Sequence, residues 1–268
     1  MKKFHIFLNG FDYGVFKAQN KEQALDSLAQ EAGYKDWQTA VEMTSSPTDD
    51  IYFVELVVKG DIKYTYLNKD GVEIYSFTNE NHESPHQKCP EGSDTFQPCG
   101  VSENRIIINV DDRYYKILDY EGNEIVRIDG GMITGSYHDG KLYYCTNDES
   151  GYYDYRGEKH LIPFQVNKYD VWDIIVLKND MLLIKNAYVE QKDWIISAVD
   201  GKVLLKGKIL YAPILGNFYN SFLGDFIAVR DDDFNTVIYD MKCNKLFATD
   251  CASETIFVMN NETKKELR

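Results

Sequence analysis

The sequence has few basic residues. Its 29 lysine and arginine residues stand against 43 aspartate and glutamate residues, which gives a formal net charge of −14. Nucleic-acid binding requires a basic surface that displaces counterions from phosphates, and docking on anionic membranes requires basic clusters too. The composition therefore argues against direct nucleic-acid binding and against a membrane partner.

Long hydrophobic runs are missing as well. The first apolar run covers residues 4–8 only, whereas a secretory signal needs roughly 7–15 apolar residues. No stretch approaches the roughly 20 apolar residues of a membrane-spanning helix. The five cysteines are an odd number at wide spacings, unlike the disulfide framework of a small secreted protein. We therefore expect a cytoplasmic protein.

Common catalytic motifs are also absent from the sequence. It contains no glycine-rich phosphate loop, nucleophile elbow or His-Glu-x-x-His motif. His5, His138 and His160 are isolated, and Cys145 falls in a strand pattern where a small buried residue is expected. No motif argues for an enzyme, so we expect a protein without catalytic activity.

The first sixty residues carry mixed helix and strand signals. Two short apolar runs meet at Asn9-Gly10, a dipeptide typical of β-hairpin turns. A helix is predicted between an N-cap at Asn20 and a terminating Gly33, because apolar residues recur there at the spacing of one buried face. With a strand after it, this pattern predicts a small α+β unit over residues 1–60, similar to short β-hairpin–helix modules of phage and bacterial proteins.

One pattern recurs through residues 61–268. An apolar run rich in aromatic and β-branched residues leads to Asp or Asn, then a turn residue, then a second apolar run. The five turn residues are Gly71, Gly122, Gly157, Gly201 and Asn244. Asn takes the place of Gly in the last copy, since Asn also tolerates positive φ.

The interval of about 43 residues between turns matches a four-stranded propeller blade. We therefore predict a mainly β protein, in which a five-repeat β-propeller-like domain over residues 61–268 follows the α+β unit. A loop at about 79–102 is inserted in it. Separate strands are expected over 202–205 and 210–215, and Thr255–Met259 would close the ring. A β-solenoid or a sandwich of meanders is the alternative.

The third copy, over residues 139–163, carries a family resemblance. It contains Asp139-Gly140, then Gly151-Tyr152-Tyr153-Asp154, and ends in Leu161-Ile162-Pro163. This order resembles the bacterial WG repeat, although Ser150 stands where that family has Trp. The resemblance implies a role in binding proteins or other ligands, without shared catalytic residues.

The inserted loop concentrates potential metal ligands. Imidazole and thiolate groups form closed tetrahedral zinc sites. The candidate ligands are His82, His86, Cys89 and Cys99. A structural zinc ion is one interpretation, and a flexible insertion with unpaired thiols is the other. No cofactor is otherwise required.

Acidic clusters fall at the predicted turns. Paired carboxylates could serve a glycosidase or hold calcium, and they could equally be solvated turn charges. The candidate binding residues are Asp111, Asp112, Asp231, Asp232 and Asp233, and Asp49-Asp50 and Asp148-Glu149 form similar pairs. Tyr152 and Tyr153 are further candidates, because adjacent strand residues place one ring outward. Trp194 is expected in the core.

Together these patterns predict a non-enzymatic protein that binds another protein through acidic, tyrosine-rich loop faces. Its charge favours a basic partner, so an immunity or inhibitor role is the leading hypothesis. A carbohydrate-binding or glycoside-hydrolysing five-bladed propeller is the alternative, and a purely structural interaction module is a third interpretation.

Overall fold

The computed structural model describes residues 1–44, 50–59, 61–79, 96–110, 113–186, 192–215, 225–231, 233 and 235–249. Within these ranges the chain is mainly β, with several antiparallel sheets and two helices, which confirms the predicted fold class at that level. Neither described helix is long and apolar enough to cross a membrane.

The chain forms two compact units. The first comprises Met1–Gly130, Gly135–Leu142 and Asp154–Glu158. The second comprises Gly131–Thr134, Tyr143–Tyr153 and the chain from Lys159 onward. Successive short segments within residues 131–158 belong alternately to the two units. Each unit therefore contains parts of the chain that are distant in sequence.

The first sheet belongs to the first unit and has the strand order β2-β1-β3-β4-β5. Its strands are β1 (Lys2–Leu8), β2 (Phe11–Ala18), β3 (Ile51–Lys59), β4 (Asp61–Asn68) and β5 (Glu73–Asn79). Asn9 and Gly10 form the β1–β2 turn, with φ of 51° and 74°. Val58 pairs with Ile62 in the β3–β4 hairpin, so this sheet continues past residue 60. The domain boundary at that residue stays a prediction.

Two helices, α1 (Lys21–Glu31) and α2 (Trp37–Thr44), separate β2 from β3. The Asn20 side chain accepts a hydrogen bond from the Gln23 backbone N–H at 2.9 Å. In return, the Gln23 side-chain oxygen accepts the Gln19 N–H at 2.7 Å. These bonds satisfy N–H groups that lack partners at a helix start. Gly33 follows the helix with φ of 87°, as the sequence predicts.

Two four-stranded antiparallel sheets follow in chain order. One contains β6 (Phe96–Ser102), β7 (Arg105–Val110), β8 (Tyr114–Leu118) and β9 (Glu124–Asp129). The other contains β10 (Met132–Ile133), β11 (Lys141–Cys145), β12 (Ser150–Asp154) and β13 (Lys159–Leu161). Phe7, Val54 and Tyr66 from the first sheet share a buried core with Ile106 and Ile108 of β7. This core holds the turns of the first unit in place.

The last sheet has seven strands in chain order. They are β14 (Val171–Leu177), β15 (Met181–Asn186), β16 (Asp193–Ser197), β17 (Val203–Tyr211), β18 (Ile227–Arg230), β19 (Thr236–Tyr239) and β20 (Lys245–Thr249). A single strand, β17, replaces the two strands predicted over 202–205 and 210–215, so that prediction is wrong. β17 runs through Gly207 without a turn, pairing with β16 up to Gly207 and with β18 from Lys208. The expected strand at Thr255–Met259 lies outside the described residues.

Four of the five copies of the sequence pattern, and also the turn after Asp231, form one recurring turn. In each of these turns, an Asp or Asn side-chain oxygen accepts the backbone N–H of the residue four positions later at 2.8–2.9 Å. The accepting residues are Asn68, Asp119, Asp154, Asp231 and Asp240. In the Gly201 copy the Ser197 hydroxyl accepts the N–H groups of Val199 and Asp200 instead. Such local bonds favour a turn over continued strand.

The last of these turns differs from the prediction. The residue with positive φ is Cys243, at 62°, and it occupies the position of Gly71, Gly122 and Gly157. Asn244 is the next residue, and its N–H donates to Asp240. The assignment of the left-handed position to Asn244 was wrong because the hydrogen-bond spacing from Asp240, rather than residue preference, sets the turn position.

Ser150 has a buried role at the position where WG repeats carry Trp. It is 2% exposed. Its hydroxyl donates to the Ile162 carbonyl at 2.8 Å and accepts the Phe164 N–H at 2.9 Å. The hydroxyl therefore satisfies buried backbone groups beside β12, a contact that the indole of Trp could not reproduce.

Candidate functional site: an acidic cluster of turns

Turns from distant parts of the sequence meet in the first unit. We call them the turn cluster: residues 9–10, 50–52, 102–105, 120 and 136–140. Three of its hairpin turns have two successive residues with positive φ, the geometry of type I′ turns. These residues are Asn9-Gly10, Glu103-Asn104 and Asp139-Gly140. The tight turns bring the ends of several strands to one place.

Hydrogen bonds connect the N-terminal hairpin to the other turns. The Asn9 backbone N–H donates to the Asp50 carbonyl at 2.9 Å, and the Ser136 hydroxyl donates to the Gly10 carbonyl. A Cβ atom at Gly10 would lie 2.7 Å from the Ser136 Oγ. Only glycine fits this close approach with positive φ.

The 102–105 turn is bonded to the 136–140 turn. The Ser102 hydroxyl accepts the Tyr137 N–H at 2.9 Å and donates to the Tyr137 carbonyl at 3.1 Å. The Glu103 Oε2 accepts the Gly140 N–H at 2.7 Å. Because these bonds involve backbone groups, they fix the turns in register.

Three carboxylates come together in the turn cluster, from Asp50, Glu103 and Asp139. Burial raises the pKa of Asp50, although the Tyr52 hydroxyl and the Glu103 N–H act against that shift. Partial desolvation raises the pKa of Glu103, and the negative charges of Asp139 and Asp50 add to it. Glu103 and Asp139 remain exposed at the surface. Asp50 and Asp139 therefore repel the Glu103 carboxylate, and a partner can reach Glu103 and Asp139.

Within the part of the chain that the structure describes, no basic side chain neutralises these three carboxylates. Across the described ranges, no lysine or arginine forms an ion pair with Asp50, Glu103 or Asp139. Arg105, the nearest arginine in sequence, donates instead to the carbonyl oxygens of Asn104 and Tyr155. The turn cluster thus carries an excess of negative charge.

Aromatic side chains and one histidine complete the turn cluster. The rings of Tyr52 and Tyr120 meet edge to face, with centroids 6.2 Å apart. Burial raises the pKa of Tyr120 to about 12 and raises that of Tyr52 further. Burial lowers the pKa of His138 to about 4, so this imidazole is neutral at pH 7. Its Nε2 lies 3.4 Å from the Ser136 Oγ.

The predicted acidic residues are only partly described. Asp49, Asp111, Asp112 and Asp232 lie outside the described residues. Asp231 caps its own turn by accepting the N–H groups of Asp233 and Asn235, and Asp233 is exposed. Their binding roles stay predictions. Glu149 pairs with Lys159 at 2.7 Å, which lowers the pKa of Glu149.

The predicted tyrosine pair does not present two free rings. Tyr153 is 8% exposed, with its ring 4.9 Å from that of Tyr144. Tyr152 is partly buried and stacks on His160 at 4.7 Å. Tyr153 is therefore unavailable as a surface ring, because it packs in the core, and a binding role for Tyr152 stays a prediction.

The predicted zinc site is not described. His82, His86 and Cys89 lie outside the described residues, and Cys99 lies in β6 at intermediate burial. The zinc interpretation stays a prediction.

Sequence reasoning missed Glu103, Tyr120 and His138 as members of one site, and His138 looked isolated. They lie up to 35 residues apart, and each is distant in sequence from the Asn9-Gly10 turn that they surround. The available signal was the set of two-residue turns, since Asp139-Gly140 resembles Asn9-Gly10 as a type I′ signal.

Comparisons with known proteins identify no family. No protein-family model matches the chain, and a search of curated proteins finds no match either. Similar solved structures include BamB from Moraxella catarrhalis (13% identity, TM-score 0.38, 76% of this chain and 59% of that one). Kluyveromyces lactis Hsv2 (12%, 0.39, 73% and 69%) and the computationally designed Ika8 protein (13%, 0.42, 77% and 61%) are others.

BamB and Hsv2 are propeller-like β proteins. The chain spans about 60% of the length of the first matched structures. Similarity at these TM-scores carries no argument about function.

Proposed function

We propose that this chain is a non-enzymatic binding protein that recognises a basic protein through the turn cluster. The supporting observation is the group of three carboxylates that have no basic partner among the described residues, in which Asp50 and Glu103 have raised pKa values. A lysine or arginine from a partner would relieve the repulsion and neutralise the charge. Tyr52 and Tyr120 provide adjoining aromatic surface, where cations also bind favourably.

The net charge of −14 supports the same proposal. Long-range attraction would increase the rate at which a basic protein encounters the turn cluster. If that partner acts on nucleic acid, the bound chain would cover its basic surface. More specifically, we propose an immunity or inhibitor role. We also propose that the chain is related to WG-repeat proteins and contains five repeats, and the recurring Asp and Asn turns support this.

A capture experiment with matched variants tests the proposal. The tagged protein, the double variant Asp50→Asn/Glu103→Gln and the control Glu22→Gln/Glu31→Gln are incubated with lysate of the source cells. Both double variants remove two negative charges, but the control changes exposed positions on α1. We expect a basic protein that the wild type and the control capture and the turn-cluster variant loses. Equal capture by all three proteins would overturn the proposal.

One observation favours a second candidate, a glycoside-binding or glycoside-hydrolysing protein. Two carboxylates with raised pKa values, Asp50 and Glu103, lie with Tyr52 and Tyr120 in one cluster. Glycosidases also use two carboxyl groups, one of them an acid with a raised pKa and the other ionised. Hydrolysis of a panel of aryl glycosides, lost in Glu103→Gln, would support this candidate. No binding or hydrolysis across a broad glycan panel would remove it.

A further inference from the structure

A row of side chains crosses the final sheet in the second unit. Lys208 of β17 lies directly opposite Arg230 of β18, and Arg230 lies directly opposite Thr236 of β19. Directly opposite residues of antiparallel strands point to the same face of a sheet. We call Lys208, Arg230 and Thr236 the cationic row.

Two positive charges lie side by side in this row, in a chain with an excess of acidic residues. Like charges directly opposite each other in a sheet are destabilising. In the described portion of the chain, neither Lys208 nor Arg230 forms an ion pair. The neighbouring acid, Asp231, is engaged in its own turn, where it accepts the N–H groups of Asp233 and Asn235.

The guanidinium of Arg230 is short of acceptors. Its Nε and Nη2 atoms are buried and have no hydrogen-bond partner among the described residues. Buried donors without acceptors are costly, and charged donors more so. Nε and Nη2 form one edge of the planar guanidinium, and this edge donates two parallel hydrogen bonds to carboxylate or phosphate oxygens. An oxyanion is the group that such an edge fits.

The rest of the row is suited to the same ligand. The Lys208 side chain is exposed and Arg230 is partly exposed, so an anion can approach the row from the side of Lys208. The Thr236 hydroxyl, on a residue 9% exposed, is a further donor at this end of the sheet. The two cations balance the charge of a doubly charged anion, and the hydroxyl can donate a further hydrogen bond to it.

We propose that the cationic row binds a phosphoryl group, either as inorganic phosphate or as part of a phosphorylated ligand. Arg230 donates two hydrogen bonds to its oxygens, Lys208 neutralises the second charge, and Thr236 donates from its hydroxyl. The bound anion removes the repulsion between Lys208 and Arg230. This site is independent of the turn cluster, which has the opposite charge.

Thermal unfolding of the full chain with inorganic phosphate tests the proposal. Potassium phosphate is compared with potassium chloride and potassium acetate at equal ionic strength and pH. The variants are Lys208→Gln, Arg230→Gln and the control Lys245→Gln, which removes one exposed charge from β20 of the same sheet. Titration calorimetry with phosphate gives the affinity of each variant.

We expect phosphate to raise the Tm of the wild type and of Lys245→Gln above the values in chloride and acetate. Lys208→Gln and Arg230→Gln should each weaken phosphate binding about tenfold or more, as expected for loss of a charge-assisted contact. Lys208 is exposed, so its variant tests the site without disturbing the core. An equal effect of phosphate on all variants, no effect on the wild type, or an effect matched by acetate would each overturn the proposal. Once phosphate binding is shown, phosphomonoesters are compared with inorganic phosphate. A phosphomonoester that raises the Tm more than inorganic phosphate does would identify a phosphorylated ligand as the source of the phosphoryl group.

Discussion

Glu103 accepts a hydrogen bond from the Gly140 backbone N–H, with 2.7 Å between Oε2 and the nitrogen. This contact joins two hairpin turns that are far apart in the sequence. The same carboxylate has a raised pKa because of its partial desolvation and the nearby charges of Asp139 and Asp50. Glu103 therefore orders the turn cluster and contributes to its unbalanced charge.

The raised pKa of Glu103 predicts a pH effect. The folded protein holds the Glu103 proton more tightly than the unfolded chain does. The contribution of this proton to folding stability is therefore greatest below the ordinary glutamate pKa, and it is lost as the pH rises through the raised pKa. Glu103→Gln keeps an acceptor for Gly140 and removes the charge. Urea unfolding between pH 4 and pH 7 should show a smaller loss of stability in Glu103→Gln than in the wild type. The exposed control Glu31→Gln should follow the wild type, and an unchanged slope in Glu103→Gln would contradict the prediction.

His138 predicts the opposite trend. Its pKa falls from 6.5 to about 4 on folding, because burial disfavours the imidazolium. The unfolded chain then binds more protons, so this contribution is complete above pH 6.5 and is lost as the pH falls toward 4. His138→Gln should reduce the acid sensitivity of the Tm over that range, whereas the control His160→Gln should not. An NMR titration in which His138 is protonated near pH 6.5 would refute the assignment.

The recurring turn predicts a matched pair of stability effects. Asp240 accepts the N–H groups of Lys242 and Asn244, both at 2.8 Å. Asp240→Ala should reduce the free energy of unfolding, because both donors lose their acceptor. Asp240→Asn should retain most of the wild-type stability, since the Asn68 side chain accepts the equivalent hydrogen bonds in its own turn. Equal losses in the two variants, measured by urea unfolding, would show that the side-chain oxygen is unimportant.

Two tryptophans provide another matched pair. Trp194 is 8% exposed in the core of the second unit, whereas Trp172 is 65% exposed. Trp172 falls at a β-bulge between Val171 and Asp173, and bulges redirect side chains. Trp194→Ala should cost about 3–5 kcal/mol, and Trp172→Ala should change stability by less than about 0.5 kcal/mol. A cost above 2 kcal/mol for Trp172→Ala would contradict the described exposure.

Local features could be predicted from the sequence. The Asn9-Gly10 turn and the start of α1 at Asn20 depend on residues within a few positions of each other. The burial of Trp194 also follows from an apolar strand pattern. The mainly β fold follows from the same local patterns, repeated along the chain.

Other features depend on partners that local patterns do not specify. β17 continues through Gly207 because the strand exchanges β16 for β18 as its neighbour. Cys243 takes the left-handed position because Asp240 sets the hydrogen-bond spacing. The turn cluster combines residues from Asn9 to Gly140, and long-range packing decides which turns meet. Composition indicated an excess of acidic residues, but not which of them would lie together.

Salt dependence of binding tests the central claim most directly. The basic protein captured by the wild type is purified, and its Kd is measured from 50 to 500 mM salt for the wild type, Asp50→Asn/Glu103→Gln and Glu22→Gln/Glu31→Gln. Charge-based recognition predicts weaker binding as salt rises. The turn-cluster variant should bind more weakly at low salt and lose affinity less steeply, while the control retains the wild-type slope. Identical affinities and slopes for all three proteins would contradict recognition of a basic partner through Asp50 and Glu103.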